Sequence, residues 1–167
     1  MPPPRKKRLH KRPVRKGKPK VFIVHGQNVT ARESVARFLE KIGCEAVILH
    51  ELPSKGKTIF QKFTTYSSVD FAVVLLTGDD QGGRVGVSWR DQKKRARQNV
   101  ILELGFFLAA LGPDKVCPLY EHDVELPSDY AGVGWVPLDS SEKWKTLLAR
   151  ELESAGIRID SKKLLTI

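Results

Sequence analysis

The chain of 167 residues has no apolar run near the roughly 20 residues a helix needs to cross a bilayer, so no membrane association is expected. It has two cysteines, Cys44 and Cys117, too few for a disulfide framework, and no CxxC pair of the kind that holds zinc. Four histidines, His10, His25, His50 and His122, are scattered without ligand spacing, and no metal of the protein's own is expected. There is no GxSxG elbow, and neither cysteine has a histidine and an acid nearby in sequence, which argues against a Ser or Cys hydrolase. The glycine-rich phosphate signatures are missing too. HGQN does not meet the dinucleotide pattern GxGxxG, and SKGKT (54–58) has Glu51 where a P-loop requires glycine. The turn could still hold a phosphate through Lys55, Lys57 and the backbone near Thr58, or be a solvated turn. The basic start is followed by no apolar h-region, so no signal peptide is expected and the setting should be reducing and cytoplasmic.

Acid is absent from the first twenty residues, which hold ten of the 29 Lys and Arg. The other 19 are balanced by 19 Asp and Glu, so the net charge of +10 belongs to this end alone. With Pro2, Pro3, Pro4, Pro13 and Pro19, residues 1–19 cannot bury enough apolar surface to fold and are expected to be a disordered basic tail. Such a tail is either simply solvated or a nonspecific contact for nucleic acid or another polyanion.

From Lys20 the pattern becomes that of a folded domain. KVFIVHG reads as a strand buried on both faces. Thr30 and Glu33 suggest a capping box for the helix ARESVARFLEKIG, with Gly43 as its stop. EAVILH is a second strand, Thr58 can cap the shorter helix TIFQKFTTY, and FAVVLLT is the strongest buried-strand signal. GDDQGGRVGVSWRDQKKRA reads as a polar loop before a helix from about Arg97 to Leu111. KVCPLY is a fourth strand, made less regular or nearer an edge by Pro118. GWVPL is a fifth, and Asp139 with Glu142 suggests a second capping box, for SEKWKTLLARELESAG. Strands alternating with helices at this spacing predict an α/β fold: a flavodoxin-like, five-stranded parallel sheet of order 2-1-3-4-5 with helices on both faces. The domain should span 20–160, with a C-terminal tail at 161–167. Ligands in such sheets bind outside the carboxyl ends of the strands, at the switch between strands 1 and 3, which points to HGQN and TGDDQGG. Gly26 would let a ligand approach the backbone closely, whereas His25 is either structural or part of the crevice.

One residue fits the core pattern poorly. In RARQNVILELGFFLAALG (95–112) the apolar positions Val100, Ile101, Leu104, Phe107, Leu108 and Leu111 form one helical stripe. At 100° per residue Glu103 falls about 60° to one side of Val100, at the edge of that stripe, where it can touch core and crevice together. It is either a boundary glutamate paired with Arg95, Arg97 or a loop lysine, or a carboxylate whose apolar surroundings tune it for chemistry.

The stretches KVFIVHG, EAVILHELPSKGKTI, FAVVLLTGDD, RARQNVILELGFF, VCPLYEHDVELPSDYAGVGWVPLD and the helix beginning WK carry a resemblance. From about Lys20 to Asp160 the chain resembles the TIR-like domain family of bacterial CD-NTase-associated and Pycsar effector proteins. The resemblance implies a TIR fold and hydrolysis of NAD+, bound as substrate with no added cofactor, and makes Glu103 the catalytic residue. It implies that His25, Gly26 and Gln27 line one side of the pocket and Thr77, Gly78 and Asp79 the other. Trp89 would stack on nicotinamide or adenine, or pack a lid, and Arg97, with Arg95, would take the pyrophosphate or pair with Glu103. HELPSKGKT sits where TIR domains carry the loop that joins neighbouring subunits, so a homo-oligomer formed by TIR–TIR contacts is implied. Family members carry a cyclic-nucleotide sensor domain for which no segment here reads as a counterpart, so the trigger stays open among a sensor partner chain, self-assembly and polyanion contact by the tail. The implied role is an assembly-activated antiphage NAD+ hydrolase releasing ADP-ribose or its cyclic form. The alternative is a non-catalytic TIR adaptor or nucleotide-binding module.

Overall fold

The computed structural model describes residues 17–48, 68–128 and 134–166. In chain order its elements are β1 (Lys20–Val24), α1 (Val29–Lys41), β2 (Glu45–Ile48), β3 (Phe71–Leu76), β4 (Asp80–Gly82), β5 (Lys93–Arg95), α2 (Gln98–Leu111), β6 (Val116–Tyr120), β7 (Val124–Glu125), β8 (Val136–Pro137) and α3 (Lys143–Ser154). The tail through residue 16, the turn at Ser54–Thr58 and the short helix expected after it lie outside the described residues.

Five strands pair in parallel in the order β2-β1-β3-β6-β8, the expected 2-1-3-4-5. The period-2 alternation of each strand divides the core in two. Val21 and Ile23, Phe71, Val73 and Leu75, and Cys117 and Leu119 face α1 and α3. Phe22 and Val24, Ala72, Val74 and Leu76, and Val116 face α2. Every residue of β3 is buried, as a strand between two others and beneath helices on both faces must be. The helices dock through i, i+3 and i+4 positions: Val35, Phe38 and Leu39 on α1, and Val100, Leu104 and Phe107 on α2. Phe38 meets Trp144 of α3 edge-on at 5.3 Å between centroids, and Phe107 lies 4.8 Å from Phe22. Both cysteines are buried free thiols. Burial raises the Cys44 thiol to about 11 and also pushes Cys117 up, so neither is a ready nucleophile.

Three expectations are corrected. Helix α1 begins two residues earlier than a Thr30 cap allows: Asn28 Oδ1 accepts the Ala31 N–H at 3.0 Å, and Glu33 instead pairs with Arg32 at 2.7 Å. Asp139 and Glu142 make no capping box for α3. Asp139 Oδ1 accepts from the Ser141 amide and hydroxyl, and Glu142, at φ 58°, pairs with Lys145. The loop after β3 is also not structureless: β4, β5 and β7 form a second sheet in the order β4-β5-β7. Strands of two or three mostly polar residues carry no apolar alternation, so they are revealed by their pairings, Gln81 with Lys94 and Lys94 with Val124. Pro118 pairs with Val74 on one side, while the short edge strand β8 meets only Leu119 and Tyr120, leaving the position tolerant of a missing donor. Beyond α3, Ser161–Thr166 forms a 3-10 helix whose Leu164 packs against the core.

The α1 cap makes a direct test. Asn28→Ala is expected to cost about 1–2 kcal/mol in urea unfolding, whereas Thr30→Ala should shift stability by less than about 0.5 kcal/mol. The reverse order of effects would restore the Thr30 cap.

Candidate active site

The carboxyl ends of β1 and β3 open into adjoining loops, His25–Asn28 and Thr77–Asp79. Asp79 joins them. Its Oδ2 accepts the Thr77 hydroxyl at 2.8 Å and the Gln27 backbone N–H at 3.0 Å. Thr77 is only 1% exposed, so its hydroxyl needs this partner. Gly26 packs directly on the same carboxylate: a Cβ there would overlap Asp79 Oδ2 and lie 2.9 Å from Asp79 Cγ and 3.7 Å from Arg97 Cδ. Any side chain at this position would therefore displace the Asp79 carboxylate. His25 Nδ1 lies 2.8 Å from the Gly26 carbonyl oxygen, which can only accept, so the proton sits on Nδ1 and the ring locks its own loop.

Asn28, the last residue of HGQN, and Glu121, which no motif of the sequence marks, complete this crevice. Glu121, just past β6, accepts Asn28 Nδ2 through Oε1 and the Gly78 N–H through Oε2, both at 2.9 Å. Asn28 carried one local signal, as a favoured cap residue before a helix. Glu121 carried none, since its partners lie 93 and 43 positions away in the chain.

Beside the crevice, Gly78 to Gln81 with Lys94, Arg95 and Gln98 line a polar cleft of about 620 Å³. Lys94 leans its stem over Gly78, while its ammonium pairs with Asp123 at 2.6 Å, raising the Lys94 pKa and lowering that of Asp123. The Arg95 guanidinium packs over Gly82, where any Cβ would overlap it. A second depression, of about 480 Å³, lies along α1 and Lys145, on the opposite face of the sheet from α2, and no residue of 25–28 or 77–79 lines it.

Arg97 occupies the cap position of α2, which brings it to Gly26. Glu103 lies six residues further, roughly 9 Å along the axis at 1.5 Å per residue. Its neighbours at i−4, i−3, i+3 and i+4 are Asn99, Val100, Phe106 and Phe107, three of the four apolar, whereas Leu102 points outward at 69% exposure. Burial in these surroundings raises the Glu103 carboxyl from its ordinary value to about 7. The ion pair with Arg95 or Arg97 that would have made Glu103 an ordinary boundary residue is not formed: among the described residues, no salt bridge or hydrogen bond reaches Glu103.

The structure thus gathers His25, Gly26, Gln27, Thr77, Gly78, Asp79 and Arg97 at one crevice, with Glu103 lower on the same helix as Arg97. Trp89 is not among the residues that line the adjoining cleft. Trp89 starts a 3-10 turn, is 70% exposed, and has the Arg90 guanidinium 5.3 Å from its ring centroid. Among the described residues no cluster of His, Cys, Asp and Glu could hold a metal ion, and no helix is long and apolar enough to cross a membrane.

A parallel sheet of order 2-1-3-4-5, a crevice at its switch point and an inward carboxylate on the helix beside it define an α/β domain of the TIR class. Residues 20–140 match the family described as CAP12/Pycsar effector protein, TIR domain, and the chain belongs to that family. It is 46% identical over 148 residues to YuaY of Escherichia coli K12, covering 88% of this chain and 49% of that protein. It is 34% identical over 126 residues to protein tirC of Dictyostelium discoideum, covering 70% and 63%. The Pycsar effector protein BcPycTIR of Burkholderia cepacia shares 38% identity over 76 residues, 44% of this chain and 24% of that protein. The chain therefore spans about half of YuaY and under two thirds of tirC.

Proposed function

We propose that this domain hydrolyses NAD+ at the nicotinamide–ribose bond, as a TIR effector in antiphage defence whose activity is switched on by assembly. The observation that carries the reading is Glu103, a carboxylate held among apolar neighbours, with its pKa raised to about 7 and no ion pair to any described residue.

In the reaction, the C1′–N bond breaks with its electron pair leaving to nicotinamide, which departs neutral and needs no acid. Positive charge develops on C1′ and the ring oxygen. An ionised Glu103 would stabilise that centre more strongly than the same carboxylate in water, because fewer solvent dipoles compete with it. Water then adds at C1′ and loses a proton, giving ADP-ribose. The Gly26 backbone, Thr77 and Asp79 would shape the crevice for the substrate, and Arg97, with the cations of the adjoining cleft, would meet its diphosphate. TIR–TIR contacts and a cyclic-nucleotide-linked trigger belong to the same proposal, supported by family membership and the relatives' names.

The test is nicotinamide release from NAD+ by the purified chain, both dilute and crowded on beads. Release that rises with crowding is expected. Silence in both formats together with absence of NAD+ binding would transfer the chain to the adaptor reading.

The raised Glu103 carboxyl also predicts a pH profile. For the free enzyme kcat/KM should climb with pH and level off above about 7, as the carboxylate forms. A profile flat from pH 5.5 to 8.5 would remove this group from the chemistry.

A further inference from the structure

We propose that Glu121 is a positioning residue which, with Asn28, sets the width of the crevice between the loops after β1 and β3; the inference rests on that crevice being the dinucleotide site. Neighbouring strands lie about 4.8 Å apart, and β3 stands between β1 and β6, so no backbone hydrogen bond can join the loop after β1 to the end of β6. A side chain long enough to reach over the end of β3 can. Glu121 does so, accepting from Asn28 Nδ2 on the first loop and from the Gly78 N–H on the second.

The contact forms a pair with the one made by Asp79. Asp79 links Gln27 to Thr77, and Glu121 links Asn28 to Gly78, so consecutive residues on one loop are tied to consecutive residues on the other. One such tie would leave a hinge, whereas two fix both the separation and the angle of the loops. The Asn28 amide cannot turn over to suit another partner, because its Oδ1 accepts the Ala31 N–H at the start of α1. Both Glu121 oxygens need donors, and both donors come from loops that face the crevice. Glu121 touches no proposed reacting atom, and its part is to hold the frame.

The donor and acceptor roles can be exchanged between the two positions. Glu121→Gln sets an amide N–H against the Asn28 amide, donor facing donor. Asn28→Asp keeps the helix cap but sets two carboxylates against each other. Combining the two substitutions leaves net charge unchanged. The introduced amide at position 121 would then donate to the introduced carboxylate at position 28, while its carbonyl oxygen accepts the Gly78 N–H, restoring both bonds. The full chain and the three variants are compared by nicotinamide-release kinetics and by amide hydrogen exchange at Gly78, with thermal midpoints as the check on folding. Each single variant is expected to raise KM about tenfold, with kcat changed by less than about threefold, and to speed Gly78 exchange about tenfold. The double variant should return all three to within about threefold of the native chain. Singles with native KM and exchange, or a double variant as impaired as its worse parent, would overturn the inference. If the native chain neither binds nor cleaves NAD+, the hydrolase reading falls by itself, and Gly78 exchange in the same four proteins still decides whether the tie exists.

Discussion

Glu103→Gln is expected to lower the turnover of NAD+ by about a thousandfold, equivalent to roughly 4 kcal/mol of transition-state stabilisation, while making the folded protein more stable above neutral pH. The two effects share one cause. Glutamine fills nearly the same volume between Val100 and Phe107 but cannot offer negative charge to a developing cation. The Glu103 carboxyl titrates near 7 when folded, against an ordinary value of 4.5. A folded pKa above the unfolded one means that the native state binds more protons between those limits. Stability is therefore full below about pH 4.5, falls as pH rises to about 7, and stays lower beyond. The full difference corresponds to about 3.4 kcal/mol, which solvent screening of the partly exposed carboxyl reduces to about 2–3 kcal/mol, and the glutamine variant is spared it. Urea midpoints at pH 5 and pH 8, measured beside nicotinamide release, test both halves. Loss of activity with a matching loss of stability at pH 8 would make Glu103 a structural residue. Unchanged release would remove it from the mechanism.

Gly26→Ala should be the most damaging of the small changes at the crevice, with kcat/KM falling about a hundredfold and stability by about 2–3 kcal/mol. A methyl group at this position has no room, because the Asp79 carboxylate occupies it and Arg97 Cδ closes the next nearest space. The backbone of β1 is pinned by parallel pairing on both sides, with Ile23 between Ile48 and Val73, so Asp79 has to give way. In moving, it forfeits the Gln27 N–H and leaves the buried Thr77 hydroxyl without its acceptor. The double variant Gly26→Ala with Asp79→Ala separates steric from electrostatic loss. It should be no worse than Asp79→Ala alone, since both substitutions act through the same carboxylate. Simple additivity of the two would show that Gly26 acts through something other than Asp79.

How far the site was legible in the chain varied with the range of the interactions involved. The loops that carry Gly26, Thr77 and Asp79 are legible because the switch-point rule locates a crevice from strand order, and that order follows from the alternation of strands with helices. Glu103 stands out in the sequence because a charge at the edge of an apolar stripe conflicts with its surroundings. Trp89 is suggested by its chemistry alone, and its exposed ring beside Arg90 sits on a loop organised by β4 and β5 rather than by the main sheet, an arrangement that no local pattern discloses. The two expected capping boxes failed for a related reason. Ser, Thr, Asp and Asn compete for the same end of a helix, and the choice of Asn28 also depends on Glu121, a residue distant in sequence.

What the sequence determined by itself was the periodic framework: which residues form β1, β3, α1 and α2, which way each faces, and hence a doubly wound sheet with its crevice between the first and third strands. Those facts depend on repeats of two and about 3.6 residues, which are local and survive without knowledge of any neighbour. Tertiary structure alone decided what the crevice is made of. Asp79 beneath Gly26, Glu121 reaching Asn28 and Gly78 across β3, and Glu103 desolvated with no ion pair among the described residues all depend on how segments far apart in the chain pack together. Such contacts involve single polar atoms at distances near 3 Å, and a pattern of apolar and polar residues carries no record of them.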